Sequence, residues 1–434
     1  MLRSPGTCLA FVSLLLGLAA GCGDDGGSSP DARPGRDARP DPDRPDADPN
    51  RPDANPNRPD AAPIPGGGNF TERVIASVEA ATGDVRHVQG TEIVDIDNDS
   101  DPDVIATFSS SDNIYLYLNR GDATAWTRVT VAPRDTIVAM DAVARDIDGD
   151  GDLDIAAIGL FQRGQDFASP GDVVWYENPG GTLMGAWTRH DVDQLYGART
   201  LASADLDGDG RPDLIVGAIY LNSQGNGVHW YRNTGGAFSG PTAIDADLRV
   251  VSSVHVADID GNDVPDVVAA GSESQELVWY QNRGGSDPTF NKRVIADGGD
   301  FSAVFVANMD DDPAREVVAS RGSGLAWYDP PADPIEPWTA NVIGSFGGSN
   351  DVVLAAADVD GDGDTDVAAS ARPEAEVSVF LADGATWTEI PVASGYAASF
   401  VNIGDVNGDR RYDLVTSTYD HSDGDRLAWW ENNE

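Results

Sequence analysis

The chain has 434 residues, 73 of them Asp or Glu against 28 Lys or Arg, for a formal net charge of −45. That acid excess disfavours nucleic acid as a partner, because phosphates and carboxylates repel. The two cysteines, Cys8 and Cys22, leave no pair for an internal disulfide once the N-terminal segment carrying Cys8 is removed.

That segment has Arg3, an apolar run from Leu9 to Ala20, and then Gly21-Cys22. Its length and flanks read as a signal peptide over residues 1–21, too short to span a bilayer securely. The sequence LAAGC resembles a bacterial lipobox, which implies that Cys22 is lipidated and becomes the mature N-terminus. Ala19 departs from the Leu usual at that place, and plain cleavage after a small residue is the alternative. Gly23 after the cysteine is compatible with outer-membrane sorting. The expected location is extracytoplasmic, at an outer membrane or cell surface.

Residues 22–69 then form a tether. RPDADPN, RPDANPN and RPDAAP succeed one another from Arg44. So much Pro and charge, with almost no large apolar side chains, buries no core and stays extended. At about 3 Å per residue it reaches on the order of 100 Å.

From there to the end of the chain, one pattern repeats: D-x-[D/N]-x-[D/N]-x-x-x-[D/E]. Its copies start at Asp95, Asp146, Asp205, Asp258, Asn308, Asp358 and Asp405, spaced by 51, 59, 53, 50, 50 and 47 residues. The acidic or amide residues at positions 1, 3, 5 and 9 are Asp95, Asp97, Asp99 and Asp103; Asp146, Asp148, Asp150 and Asp154; Asp205, Asp207, Asp209 and Asp213; and Asp258, Asp260, Asn262 and Asp266. The last three sets are Asn308, Asp310, Asp312 and Glu316; Asp358, Asp360, Asp362 and Asp366; and Asp405, Asn407, Asp409 and Asp413. Carboxylates crowded this closely repel one another unless a cation lies among them. Oxygen-only side chains at this spacing suit a hard cation with six or more ligands, and no Cys or His falls inside a loop, which points to Ca²⁺ rather than zinc or copper. Up to seven ions are expected, offsetting 14 charges. Single Asp/Gly-rich loops are also ordinary turns; seven in register argue for metal. Two copies depart furthest: Asn308 opens one that has Pro313 at position 6, and Asp405 opens one with Arg410 there.

The loops share their opening with EF-hands, but position 12, where that motif needs Glu, holds Ala106, Ala157, Val216, Ala269, Ala319, Ala369 and Thr416. After position 9 the chain runs into a short apolar stretch such as VIATF, LIVGA or VVAAG, bounded by turn residues, which reads as a buried strand. Next comes an alternating aromatic strand: NIYLYLN from Asn113, VVWYEN from Val173, VHWYRN from Val228, LVWYQN from Leu277, LAWYDP from Leu325, VSVFLA from Val377 and LAWWEN from Leu427. A fourth strand, such as WTRVTVA from Trp126 or FNKRVIA from Phe290, closes each unit. Four strands in about 50 residues make a propeller blade. The last copy lacks its fourth strand, while FTERVIA, from Phe70, precedes the first loop and nearly copies FNKRVIA. The expected fold is therefore all-β: a seven-bladed β-propeller over residues 70–434, with four-stranded blades and a ring closed by the N-terminal strand completing the last blade.

The aspartate loop with its PD-V/I/L strand resembles the FG-GAP/VCBS repeat family, whose relatives include the propellers of integrin alpha subunits. The resemblance covers about 70–434. It implies that each loop joins the first and second strands of a blade and holds calcium on one face through positions 1, 3, 5 and 9. The family includes lectin-like and lyase-associated propellers, so membership names no ligand.

No G-x-S-x-G, H-E-x-x-H or P-loop motif is present, and the metal loops account for most paired carboxylates. His190, His229 and His255 fall in expected strands and read as structural; His87 and His421 complete the five. A catalytic site is not indicated. The opposite face, with the long connection Gly159 to Asp172 and with Tyr196, Arg199, Tyr220, Asn222, Tyr419 and His421, mixes aromatic and hydrogen-bonding groups that suit a sugar or peptide. These residues can equally pack their own loops. The sequence thus reads as a monomeric, membrane-tethered, non-catalytic binding or adhesion module for a protein or glycan. Its alternatives are a glycan-active lyase or hydrolase, or a scaffold subunit of a surface complex.

Overall fold

The computed structural model describes residues 69–77, 88–109, 113–132, 137–160, 169–219, 226–310, 312, 314–332, 336–347, 351–372, 376–395, 398–418 and 426–433. The signal segment, Cys22, nearly all of the tether, His87, Pro313, Tyr220, Asn222, Tyr419, His421 and most of the connection from Gly159 lie outside these residues.

The described chain is all strand and turn. Twenty-eight strands pair into seven sheets of four antiparallel strands. The first blade is β2 (Val88–Val94), β3 (Asp103–Phe108), β4 (Asn113–Asn119) and β5 (Trp126–Ala132). The next five blades occupy residues 139–195, 198–245, 251–297, 304–345 and 351–394 in the same order. The seventh is β26 (Ala398–Gly404), β27 (Asp413–Thr418) and β28 (Arg426–Asn432), completed by β1 (Phe70–Ser77), which pairs with β28 from Phe70 opposite Asn432 to Ser77 opposite Arg426. The near-copy of FNKRVIA at the start of the ring thus supplies the missing outer strand.

Side-chain alternation explains how the sheets stack. In β4, Ile114, Leu116 and Leu118 pack with Ala142, Ile155 and Val174 of the second blade. Tyr115 and Tyr117, on the other face, pack with Phe400, Val415 and Trp429 of the seventh. A period of two sends successive residues to opposite faces, so a strand buried on both sides must be apolar throughout. Each large side chain so buried contributes about 1.5–3 kcal/mol. Fourth strands alternate with solvent instead, as in FNKRVIAD. All seven pairings of third with fourth strand carry a register shift. Such bulges twist an outer edge away from further pairing.

Polar groups on the innermost strands tie the blades together. The Leu201 amide donates to Asp141 across the second and third blades (2.8 Å), Ser252 donates to the Phe301 carbonyl (2.9 Å), and Ser302 to that of Val352 (3.0 Å). Asn402 of the seventh blade donates to Thr91 of the first (2.9 Å to its carbonyl), so this inner circle crosses the closure as well.

Candidate metal centres

Each acidic loop joins the first and second strands of its blade and is built by its own side chains. The position 1 carboxylate accepts backbone N–H groups from further round the loop: Asp205 takes those of Gly208, Asp209 and Gly210, and Asp95 those of Asp99 and Ser100. Positions 3 and 5 each accept the N–H two residues on, as Asp148 does from Asp150 and Asp362 from Asp364. These are Asx turns. The tight path forces positive φ at positions 4 and 6: Gly149 and Gly151, Gly208 and Gly210, Gly361 and Gly363. That is why glycine recurs there, and Arg410, at φ 71°, holds the same conformation at a steric cost.

Position 9 does something the sequence does not announce. It is buried in every loop. One of its oxygens accepts the N–H of loop position 2, from Ile96, Ile147, Leu206, Ile259, Met309, Val359 and Val406, at 2.6–3.2 Å. In six blades its other oxygen accepts the N–H at the end of the third strand, from Asn119, Asn178, Asn233, Asn282, Ala382 and Asn432, at 2.6–2.8 Å. The acid thus sews the loop to the third strand as well as facing the cluster.

The asparagine at that strand end is the residue sequence reading missed. The Asn119, Asn233, Asn282 and Asn432 amides donate to the position 8 carbonyl of their own loop. They also donate to the position 2 carbonyl of the preceding blade's loop: Val406, Ile147, Leu206 and Val359, at 2.7–3.0 Å. Asn178 reaches its own loop at Leu153 (2.9 Å). The available signal was the terminal N shared by NIYLYLN, VVWYEN, VHWYRN, LVWYQN and LAWWEN. In the sixth blade Ala382 takes the place and Thr365 instead donates to the Asn308 carbonyl (2.6 Å).

In four loops, three of the predicted residues come together. Single oxygens of Asp95, Asp97 and Asp99 lie within 4.8 Å of one another, as do those of Asp146, Asp148 and Asp154, of Asp205, Asp207 and Asp213, and of Asp258, Asp260 and Asp266. In the fifth loop, Asp310 and Asp312 meet Asp329, which the sequence pattern does not contain. Burial pushes the position 9 acids up, Asp103, Asp366 and Asp413 to about 8 and Asp213 and Asp266 to about 7. Burial and then the neighbouring carboxylates also raise Asp97, Asp207 and Asp360. Crowded anionic oxygens of this kind can hold a metal ion, and the donor set, all oxygen, fits a hard one.

The residue before the strand-end position faces loop position 3. Gln281 donates to Asp260 (2.6 Å), and Arg232 Nε lies 2.6 Å from Asp207 Oδ2, placing a fixed cation beside the third cluster.

Residues 95–157, 166–216 and 358–416 match the FG-GAP-like repeat model. These three segments are FG-GAP-like repeats. Those segments hold the loops from Asp95, Asp146, Asp205, Asp358 and Asp405; the loops from Asp258 and Asn308 have the same place in their blades outside the matched segments. No curated protein matches the chain.

Elsewhere, His190 bonds Glu177 (2.8 Å) while stacking on Trp175, and His229 bonds the Asn226 carbonyl (2.8 Å). His255 differs from the expected satisfied histidine: it is buried, neither ring nitrogen has a hydrogen-bond partner, and burial holds it down to about 3 and therefore neutral. Arg199, named for the opposite face, is buried on the innermost strand of the third blade, where its charge bears on Asp141, and is thus part of the core rather than of a binding surface. Tyr196 is half-buried.

Proposed function

We propose that this protein is a calcium-stabilised, extracytoplasmic propeller, tethered to a membrane through lipidated Cys22 and acting as a non-catalytic binding or adhesion module. The observation that carries the reading is the set of oxygen-only acidic clusters at one end of the blades. Each of the seven loops would hold Ca²⁺ through positions 1, 3, 5 and 9, and the ion would supply the positive charge that the crowded carboxylates require. Where position 9 is also bonded to the third strand, the ion would lock the loop, the strand and, through the asparagine, the preceding blade.

The ring presents a platform at the end of a long Pro- and Asp-rich leader. FG-GAP-like repeats on such a platform fit a binding or scaffold role. The remaining acidic charge favours a partner that is neutral or basic. Glycan-array binding without turnover of a polysaccharide panel is the expected result. Release of oligosaccharide products would replace this reading with that of a glycan-active enzyme, and co-purification of one stoichiometric protein would favour a scaffold subunit. Metabolic labelling with a fatty acid tests the anchor, with loss of label in Cys22→Ser.

A further inference from the structure

The fifth blade breaks the pattern at three places that answer one another. Asn308 stands where the other six loops have Asp95, Asp146, Asp205, Asp258, Asp358 and Asp405. Pro313 stands at position 6, where a positive φ is required in the other six loops and which proline cannot supply. Pro330 stands at the strand end, in place of the asparagine whose N–H bonds position 9. Without that donor, Glu316 keeps only half of its bonding: Oε2 accepts the Met309 N–H (2.6 Å), while Oε1 is buried with no partner. Glu316 is 0% exposed. An oxygen in that situation loses its hydration and gains nothing in return.

Asp329 comes just before Pro330, at the end of the third strand Gly324–Asp329. This is the position from which Gln281 and Arg232 reach loop position 3 in the neighbouring blades. An oxygen of Asp329 accordingly lies within 4.8 Å of oxygens of Asp310 and Asp312. The charges of all three bear on Glu316, and the side-chain oxygen of Asn308 is buried with no partner too.

We propose that Asp329 is a metal ligand of the fifth blade, replacing from the third strand the carboxylate that Asn308 does not offer, so that Asp310, Asp312, Glu316 and Asp329 together hold a divalent cation. The inference rests on the calcium reading above but assigns a ligand that the repeat pattern lacks. It makes the fifth loop, the most degenerate by sequence, a site with a donor set of its own. The extra methylene of Glu316 and the loss of the strand-end donor then belong together, because the unbonded oxygen is free to face the ion.

Crystals of the natural protein soaked with Tb³⁺ test this through anomalous scattering. The expected map has a peak bonded to Asp329 as well as peaks in the loops from Asp146 and Asp205. Peaks in those loops with none at Asp329 would overturn the proposal alone, whereas no peak in any loop would overturn the calcium reading with it. Native mass spectrometry of Asp329→Asn in Ca²⁺ gives the second measurement. It should show one ion fewer per chain than the natural protein, restored when Asn308→Asp is added; an unchanged count contradicts the proposal. Should Asp329→Asn not fold, the map on the natural chain decides.

Discussion

The Asn119 side-chain amide donates to the Val406 carbonyl at 2.8 Å, joining residues 287 positions apart. One is at the end of the first blade's third strand and the other is in the seventh blade's acidic loop. The same bond recurs from Asn233 to Ile147, from Asn282 to Leu206 and from Asn432 to Val359. The loops are therefore not only metal-binding candidates but the points at which consecutive blades are clamped.

Replacing Asn233 by Ala should remove both donors and leave the Ile147 carbonyl buried and unbonded. A loss of about 1–3 kcal/mol is expected, measured by denaturant unfolding in saturating calcium. Ala382→Ser, in a blade without this asparagine bond, should change stability far less. Equal losses at the two positions would show that the amide bonds across blades contribute nothing special.

Ring closure by β1 has its own consequence. A chain beginning after Ser77 leaves the backbone of β28 as an open sheet edge flanked by apolar surface. It should self-associate, since unpaired edges recruit other strands, and light scattering should report dimers or larger species. A truncated chain that stays monomeric with an unchanged melting temperature would contradict closure by this strand. The Arg73–Glu431 ion pair (2.7 Å) is largely exposed and should matter little, so Arg73→Ala is expected to cost less than about 1 kcal/mol.

Arg232 predicts unequal loops. Its guanidinium beside Asp207 neutralises part of the third cluster and repels an incoming cation. Arg232→Gln, which copies the fourth blade's Gln281, should tighten that site by at least about tenfold, given the size of a charge–charge term at such range. Calorimetric titration of the two proteins, compared for a gain in affinity at one site, checks this. Unchanged affinities would mean that the arginine swings clear when the ion binds.

The position 9 acids set a pH dependence whose sign depends on the metal. Burial holds Asp103, Asp366 and Asp413 near about 8 in the folded chain, against an ordinary 3.8. Between those values the folded state keeps protons that the unfolded state has released. Cation-free protein should therefore lose stability as pH rises from about 4 to about 8, and change little above that. With calcium present the trend should reverse, because only deprotonated carboxylates bind the ion. Thermal melts across this window, in chelator and in calcium, give both curves. Parallel curves would exclude the acids as the linkage.

The ring was legible because its requirements are local. Aspartates at fixed spacing, glycines at the two positive-φ positions and strands apolar on both faces repeat in every unit, and FTERVIA copies FNKRVIA closely enough to show which blade it completes. The clamp was not legible, since the strand-end asparagine gains its meaning only from a carbonyl in the neighbouring blade. Arg232, Gln281 and Asp329 were missed for a related reason: a third strand's penultimate residue approaches loop position 3 only once the blade has twisted. For Arg199, of the two readings left open by the sequence, burial on the innermost strand favours packing over a binding surface.

The central claim is that divalent ions neutralise the acidic loops and thereby hold the ring. Native mass spectrometry of the full chain, combined with a thermal melt before and after chelation, tests it most directly. The account predicts several Ca²⁺ ions per chain and a melting temperature that falls sharply on chelation and returns with Ca²⁺ alone. A metal-free chain whose melting temperature ignores both chelator and calcium would contradict it.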